Sequence, residues 1–414
     1  MPRLPTSQIE AAPQPSPLSR LDVPGSAPSQ GHVCAPADPK GQRKVILAAM
    51  LTALGLWILA TPEAGARVAL AVPLGALAGI SLYHARFGFT AAWRRFAEEH
   101  RGRGLRAQLL LLGLSSLVAL PLIGWGHLIG LPTSGYVFPF GLAAALGATL
   151  FGIGMQLGGG CASGTLFTVG GGSTRMVVTL IAFIAGSVWA TAHLPWWNGL
   201  PALPPVAFAQ ALGTPQAMLA TTAALSGLAL LSVWVERRAH GALEREVTPH
   251  SLLRGPWSFE AGAVALAFVG IATLLVLGRP WGITSAFALW GAKTLAAFGV
   301  PVETWPYWQG QTALSRNLLQ DGTSLMNFGI ILGALLASGL AGKFAPVRHL
   351  HPKDALSAVI GGLLMGYGAR LAYGCNIGAY LGGVLSGSLH GWLWLVFAWA
   401  GSLIGMRLRP VFAP

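Results

Sequence analysis

A glycine-rich segment with a central cysteine occurs twice in the sequence, and this duplication constrains the fold more than any other feature. Residues 151–164 read FGIGMQLGGGCASG and residues 365–378 read MGYGARLAYGCNIG. Shifted by 214 residues, the two copies share four glycines, one leucine and the cysteine. Because the chain contains only three cysteines, the match of Cys161 with Cys375 predicts two related halves, each built around one thiol.

Composition assigns the class of protein. Of the 414 residues, 53% are hydrophobic and 9% are charged, whereas soluble domains carry about 25% charged residues. The apolar residues form long blocks, and most blocks reach the ~17–25 residues that cross a bilayer as a helix. We therefore predict an all-α polytopic membrane protein. The blocks cover residues 45–60, 68–84, 105–123, 138–160, 176–194, 216–235, 258–278, 282–299, 325–342, 354–373 and 391–406. The block at 282–299 contains Lys293 and is either a crossing or a partial, re-entrant helix.

The net charge of +13 does not indicate a nucleic-acid partner, because the basic residues lie in short loops between apolar blocks, where they set membrane orientation. The arginine-rich connections 85–106 and 236–257 are predicted to be cytoplasmic. The connections 124–137 and 195–215 contain no charged residue and are predicted to be external. Both termini are therefore predicted to be cytoplasmic. The further inner markers are Lys343, Arg348, Lys353, Arg407 and Arg409.

A second pair of matching segments predicts that the two halves have opposite orientations. Residues 87–93 (FGFTAAW) align with residues 281–287 (WGITSAF), and the first copy follows a block that ends inside whereas the second follows one that ends outside. Inverted-topology repeats with broken or re-entrant helices at the midplane are a common plan of secondary transporters. The second half is longer by about twenty residues near 301–324, which predicts an external cap or an amphipathic interfacial loop.

The predicted organisation has four parts. Residues 1–43, rich in Pro, Ser and Ala, form a disordered cytoplasmic tail in which Cys34 is interpreted as a free thiol. Residues 44–235 form the first membrane half, 236–257 a cytoplasmic linker and 258–414 the second membrane half. No cleavable signal peptide is recognisable, because the first apolar block begins only near Val45.

The duplicated segment is unfavourable for a continuous helix. Each glycine costs about 0.8–1.0 kcal/mol relative to alanine inside a helix, and a membrane span tolerates irregular backbone only where protein or a wet cavity surrounds it. We expect one helix to end near Leu157 and another to start near Cys161, with the same arrangement at residues 373–376. A helix start offers free N–H groups to a small anion, and the polarisable thiol suits an anion that contains sulphur.

Other polar residues lie near the two cysteines. Arg370 is a charge within an apolar block, which either contacts substrate or is satisfied by a carbonyl or the interface; its equivalent in the first copy is Gln156. Local pairing is favoured for Lys293, and also for Ser163, His390 and Asn376. The candidate substrate-binding set is Cys161, Cys375, Gly160, Gly164, Gly374, Asn376, Gly378 and Arg370. Zinc-ligand spacing is absent, so neither a metal nor another cofactor is expected.

Two functions remain open from the residues alone. A permease would pass a small sulphur anion by weak contacts to Cys161, Cys375 and helix N-terminal amides, without covalent capture. A membrane thiol–disulfide oxidoreductase would need the two cysteines within a Cα separation of about 4.4–6.8 Å. The lack of a CxxC pair and of quinone or haem ligands favours the permease, so we expect no enzymatic activity. The sequence has no P-loop, so direct ATP hydrolysis is not expected.

The motifs resemble those of a known family. The segments Gly158–Gly164, Gly374–Gly378, Arg86–Trp93 and Trp281–Lys293 resemble the YeeE/YedE family of bacterial inner-membrane sulphur-transport proteins, over roughly residues 45–408. The resemblance implies an hourglass-shaped helical protein that takes up thiosulfate. Sulfite, a selenium compound or another anion remains an alternative cargo.

The resemblance also assigns roles to particular residues. Cys161 and Cys375 match the two midplane cysteines of the family. Many members carry a further cysteine in the segment that corresponds to residues 86–89, where this chain has Gly88, so a relay through three thiols lacks one member. Together with the basic inner loops, the resemblance suggests a soluble cytoplasmic sulphur acceptor as a partner.

Overall fold

The fold is almost entirely helical. A computed structural model describes residues 39–245, 251–346 and 350–412. Cys34, Arg348 and residues 1–38 of the predicted tail lie outside the described residues, whereas residues 39–43 already belong to the first helix. In the described ranges, ten helical stretches are long and apolar enough to cross a membrane. The prediction of an all-α polytopic membrane protein is therefore confirmed.

The helices of the first part of the chain are α1 (Pro39–Ala64), α2 (Ala66–Ala69), α3 (Ala71–His84), α4 (Phe89–Glu99), α5 (Arg103–Trp125), α6 (Leu142–Gly158), α7 (Ala162–Gly170), α8 (Thr174–Asn198), α9 (Phe208–Leu212) and α10 (Thr214–His240). Two short strands, β1 (Phe140–Gly141) and β2 (Ala202–Leu203), pair antiparallel. The pair ties the start of α6 to the connection that follows α8.

The second part contains α11 (Phe259–Leu277), α12 (Thr284–Ala297), α13 (Gly322–Leu340), α14 (Pro352–Leu371), a π-helical turn (Asn376–Leu381), α15 (Gly382–Leu385) and α16 (Leu389–Leu408). Helix α12 corresponds to the ambiguous apolar block. Its 14 residues extend about 21 Å, which is shorter than the ~30 Å hydrocarbon core of a bilayer. Of the two alternatives for this block, the structure shows the partial helix.

The two predicted halves interleave. Helix α3 packs against α13, and α5 packs against α11; likewise α8 packs against α14, and α6 packs against both α14 and α16. Each of these contacts joins a helix of residues 44–235 to a helix of residues 258–414. The central core is therefore built from both halves.

Glycines allow the closest of these helix crossings. A Cβ atom on Gly154 of α6 would lie 2.7 Å from the carbonyl oxygen of Gly361 and 2.8 Å from the backbone nitrogen of Met365, both on α14. A Cβ on Gly147 would lie 2.7 Å from the carbonyl oxygen of Gly368. Small residues of this kind let membrane helices pack backbone to backbone.

Replacement of one such glycine should destabilise the fold. We expect Gly154→Ala to lower the free energy of unfolding by about 1–3 kcal/mol, because the added methyl group meets backbone atoms that cannot move independently. The matched control is Gly227→Ala on α10, where a Cβ would meet no atom within 4 Å. Thermal unfolding in detergent should show a lower Tm for Gly154→Ala only; equal Tm values would contradict this account of the crossing.

Residues 301–321 form a folded cap against α8 and α12. Val302 and Trp308 are buried in one apolar cluster with residues of both helices, and the Trp308 indole Nε1 donates a hydrogen bond to Thr191 Oγ1 at 3.1 Å. Lys293 Nζ donates to the carbonyl oxygens of Leu314 and Arg316, both at 2.7 Å. The favoured interpretation of Lys293, local pairing, is confirmed.

The cap should loosen when this lysine is lost. In Lys293→Met, two carbonyl groups of the cap lose their charged hydrogen-bond donor, which should lower the local stability of the cap by about 1–3 kcal/mol. We expect faster amide hydrogen exchange in residues 301–321 and unchanged exchange in α14. Lys343→Met, at an exposed position after the end of α13, serves as the control. If the cap of Lys293→Met exchanges as slowly as that of the wild type, Lys293 does not stabilise the cap.

Candidate functional site

The first copy of the repeated segment is an interrupted helix, as predicted. Helix α6 ends at Gly158, and α7 begins at Ala162 with Cys161 as its N-cap in an extended conformation (φ −80°, ψ −173°). The turn between them requires Gly159, whose φ of +85° lies in the left-handed region that favours glycine. The Cys161 side chain is 1% exposed.

The second copy breaks at the equivalent position. Helix α14 ends at Leu371, and Cys375 is the extended N-cap (φ −111°, ψ −167°) of the π-helical turn. Tyr373 has a φ of +60°, a conformation that costs a non-glycine residue about 1–2 kcal/mol. The break was predicted, but the π-helical form was not; π turns are rare and concentrate at functional sites.

The structure brings the two cysteine segments together. Helix α7 contacts the π-helical turn, so the segments that begin at Cys161 and Cys375 adjoin each other. Cys161 Sγ lies 3.4 Å from Ser163 Oγ, so the expectation that Ser163 is satisfied locally is confirmed. Both cysteines are free and buried.

Two further helix starts point to the same centre. A Cβ on Gly164 would lie 3.5 Å from Cys161 Sγ. The ring of Phe89, the first residue of α4, makes an edge contact with Tyr380 of the π-helical turn, with centroids 6.3 Å apart. On the other side, a Cβ on Gly378 would lie 4.0 Å from the Cα of Gly282, just before α12. Sequence reasoning did not assign α4 and α12 to the site, although their shared signature at residues 87–93 and 281–287 was the available signal.

A cavity of about 280 Å³ opens beside the second cysteine segment. Arg370, Gly374 and Gly378 of the predicted set line it, together with the start of α12. The sequence analysis missed Arg279, a second arginine in the wall, because it lies in a connection outside the apolar blocks. The aromatic lining residues are Tyr136, Phe138, Tyr307 and Tyr373.

The guanidinium groups of the two arginines have neutral partners. Arg370 donates to Tyr307 Oη at 3.0 Å and to Thr284 Oγ1 at 3.3 Å. Arg279 donates to Thr323 Oγ1 at 2.9 Å and approaches Tyr136 Oη at 3.5 Å. Neither arginine has a carboxylate within ion-pair distance in the part of the chain that the structure describes. Their positive charge is therefore available to an anion that enters the cavity.

Asn376 and His390 differ in how their polar atoms are satisfied. His390 Nε2 lies 3.2 Å from the carbonyl oxygen of Ala372, as expected for local pairing, although its Nδ1 has no partner among the described residues. The same expectation is wrong for Asn376, which is fully buried and has no hydrogen-bond partner for either side-chain atom within the described ranges. An unsatisfied buried amide costs about 1–3 kcal/mol, so Asn376 is suited to contact a polar ligand next to Cys375.

The position of Gly88 has room for a cysteine side chain. Its backbone is extended (φ −117°, ψ 125°), and a Cβ would meet no atom within 4 Å. In a Cys34→Ser chain, we expect Gly88→Cys to fold and its thiol to react with a small methanethiosulfonate reagent faster than the two buried native thiols. Mass spectrometry of labelled peptides measures the rates, with the Cys34→Ser parent as the control. If the thiol introduced at position 88 does not react, the space beside Gly88 is not open to the reagent and the prediction is wrong.

Comparison with known proteins gives a consistent result. The profile of the family described as sulphur transport matches residues 84–404. The chain is 31% identical over 168 residues to the probable transporter YedE of Escherichia coli K12, a match that covers 39% of this chain and 41% of YedE. It is 29% identical over 262 residues to the thiosulfate transporter TsuA of Spirochaeta thermophila (61% and 73% of the two chains). The match to TsuA of E. coli K12 is 27% over 364 residues (81% and 94%). The chain thus spans about two fifths of the YedE protein.

Proposed function

Because the chain belongs to the sulphur transport family, as its motifs indicated, we propose that it is a bacterial inner-membrane permease for thiosulfate or a related small sulphur-containing anion. The observation that carries the proposal is the pair of buried thiols, each at the N-terminus of an interrupted helix, with the two helical segments in contact with each other. Two relatives named thiosulfate transporters match most of their own length to this chain.

The anion would enter through the arginine-lined cavity. Arg279 and Arg370 attract it, and the amides at the starts of α12 and the π-helical turn receive its charge. The cavity wall contains Gly374 and Gly378, which flank Cys375, so the next contact is with that thiol. Each contact is weak, because an ion that is to be transported has to leave every site it occupies.

Passage continues from Cys375 to Cys161. The terminal sulphur of thiosulfate is soft and polarisable, as is a neutral thiol, so the contact between them is weak. The N-terminal amides of α7, which begins directly after Cys161, and of α4, whose first residue Phe89 packs on the π-helical turn, then stabilise the charge. No covalent bond forms, and the anion emerges unchanged, so the protein acts as a permease and not as an enzyme.

The pairing of helices supports an inverted repeat around this path. The 214-residue shift relates α6 to α14 and α8 to α16, while the second signature relates α4 to α12 and α3 to α11. The contacts obey these relations: α8 packs on α14 as α16 packs on α6, and α12 packs on α8 as α4 packs on α16. With the charge of the connecting loops, this supports external placement of the cap, cytoplasmic termini, and inner loops that a soluble sulphur acceptor could meet.

Transport and the role of the thiols can be tested together. In cells that lack other sulphur importers, the wild-type chain should take up labelled thiosulfate, and Cys161→Ala and Cys375→Ala should each reduce uptake about tenfold, equivalent to ~1.4 kcal/mol. Immunoblots control for the amount of protein in the membrane. Full uptake by both single variants would exclude the thiol contacts.

The same variants separate the permease from a thiol–disulfide oxidoreductase. We expect thiol trapping under oxidising conditions to leave Cys161 and Cys375 reduced while thiosulfate is transported. A disulfide between them that forms and is reduced in step with an added thiol donor would instead support the enzyme.

A further inference from the structure

The cap has no counterpart in the first half of the chain, and one of its side chains enters the anion cavity. The spacing from the second signature to the cysteine is 94 residues in the second half and 74 in the first, and residues 301–321 account for the difference. Within this cap, Tyr307 lines the cavity. Its hydroxyl oxygen accepts a hydrogen bond from Arg370 Nη1 at 3.0 Å.

Tyr307 is held firmly in this position. The neighbouring Trp308 is 4% exposed, lies in the apolar cluster with α8 and α12, and is anchored to Thr191. The rings of Tyr307 and Trp308 make an edge contact with centroids 4.8 Å apart. On the far side of the cap, Lys293 fixes the carbonyl groups of Leu314 and Arg316. The phenol therefore reaches the cavity from a rigid support.

The hydrogen bond with Arg370 leaves the phenolic proton free. A guanidinium group can only donate, so the tyrosine oxygen accepts in this pair and its O–H can donate to another atom. The adjacent positive charge polarises that O–H and strengthens such a donation. An acceptor inside the cavity would receive it.

We propose that Tyr307 is a specificity-determining residue of the anion cavity, with its hydroxyl donating a hydrogen bond to an oxygen of the entering anion. This inference rests on the proposed transport function. It assigns the cap a selective role: sulphur oxyanions such as thiosulfate and sulfite gain a hydrogen bond that a poorly accepting anion, such as tetrafluoroborate, does not gain.

The test uses the full-length protein in liposomes and the variant Tyr307→Phe, which removes only the hydroxyl. The KM for labelled thiosulfate should rise about tenfold, as expected for loss of a hydrogen bond to a charged group, with the maximal rate unchanged. The inhibition constant of sulfite should rise in parallel, whereas that of tetrafluoroborate should stay constant.

Tyr367→Phe is the matched control. The Tyr367 hydroxyl accepts a hydrogen bond from Trp197 Nε1 at 2.9 Å and is not part of the cavity wall, so its loss should leave all three constants unchanged. Hydrogen exchange in residues 301–321 should match the wild type in Tyr307→Phe, which shows that the cap stays folded.

The outcomes separate the two proposals. Uptake by the wild type with an unchanged KM in Tyr307→Phe, or an equal rise in the inhibition constant of tetrafluoroborate, overturns the role of Tyr307 and leaves the permease intact. Absence of thiosulfate uptake by the wild type overturns the permease and this inference with it.

Discussion

Backbone polar groups inside a bilayer must find partners within the protein, and the architecture follows from this constraint. An unsatisfied N–H or C=O in the hydrocarbon region costs several kcal/mol, so the two breaks before Cys161 and Cys375 have to be enclosed. Helices α6, α8, α14 and α16 provide the enclosure by crossing at glycine contacts such as Gly154 with Gly361. The same amides that make the breaks costly in lipid make them suitable for an anion.

The sequence allowed the positions of both breaks to be predicted, because consecutive glycines before Cys161 signal a helix end independently of the rest of the chain. It did not predict the π-helical turn after Cys375. That turn has no sequence pattern of its own and depends on surrounding helices. The nature of α12 also stayed open, because the carbonyl partners of Lys293 lie more than twenty residues away, in the cap.

The candidate site likewise contains residues that the local sequence reveals and residues that only the fold brings to it. Cys161, Cys375 and Arg370 could be proposed as candidates because a rare or charged residue inside an apolar block is visible in the sequence. Arg279 and Tyr307 were missed, since each lies in a connection where polar and aromatic residues are ordinary, and only the fold carries them to the cavity wall. Asn376 was interpreted wrongly because local hydrogen-bonding partners cannot be counted without coordinates.

The equivalents of Arg370 and Tyr373 in the first copy are the uncharged Gln156 and Gly159, and Gln156 Nε2 is engaged by Ser402 at 2.7 Å. A path with these two ends would differ in its balance of charge: Arg175, at the break before Cys161, lies 3.8 Å from the carboxylate of Asp354, whereas Arg279 and Arg370 beside Cys375 have neutral partners. This difference cannot change the equilibrium ratio of anion concentrations on the two sides of the membrane, because tighter binding at one end supplies no energy for net transport. In the proposed permease it would lower the concentration at which flow from the cavity side saturates, so rapid consumption on the far side would set the direction.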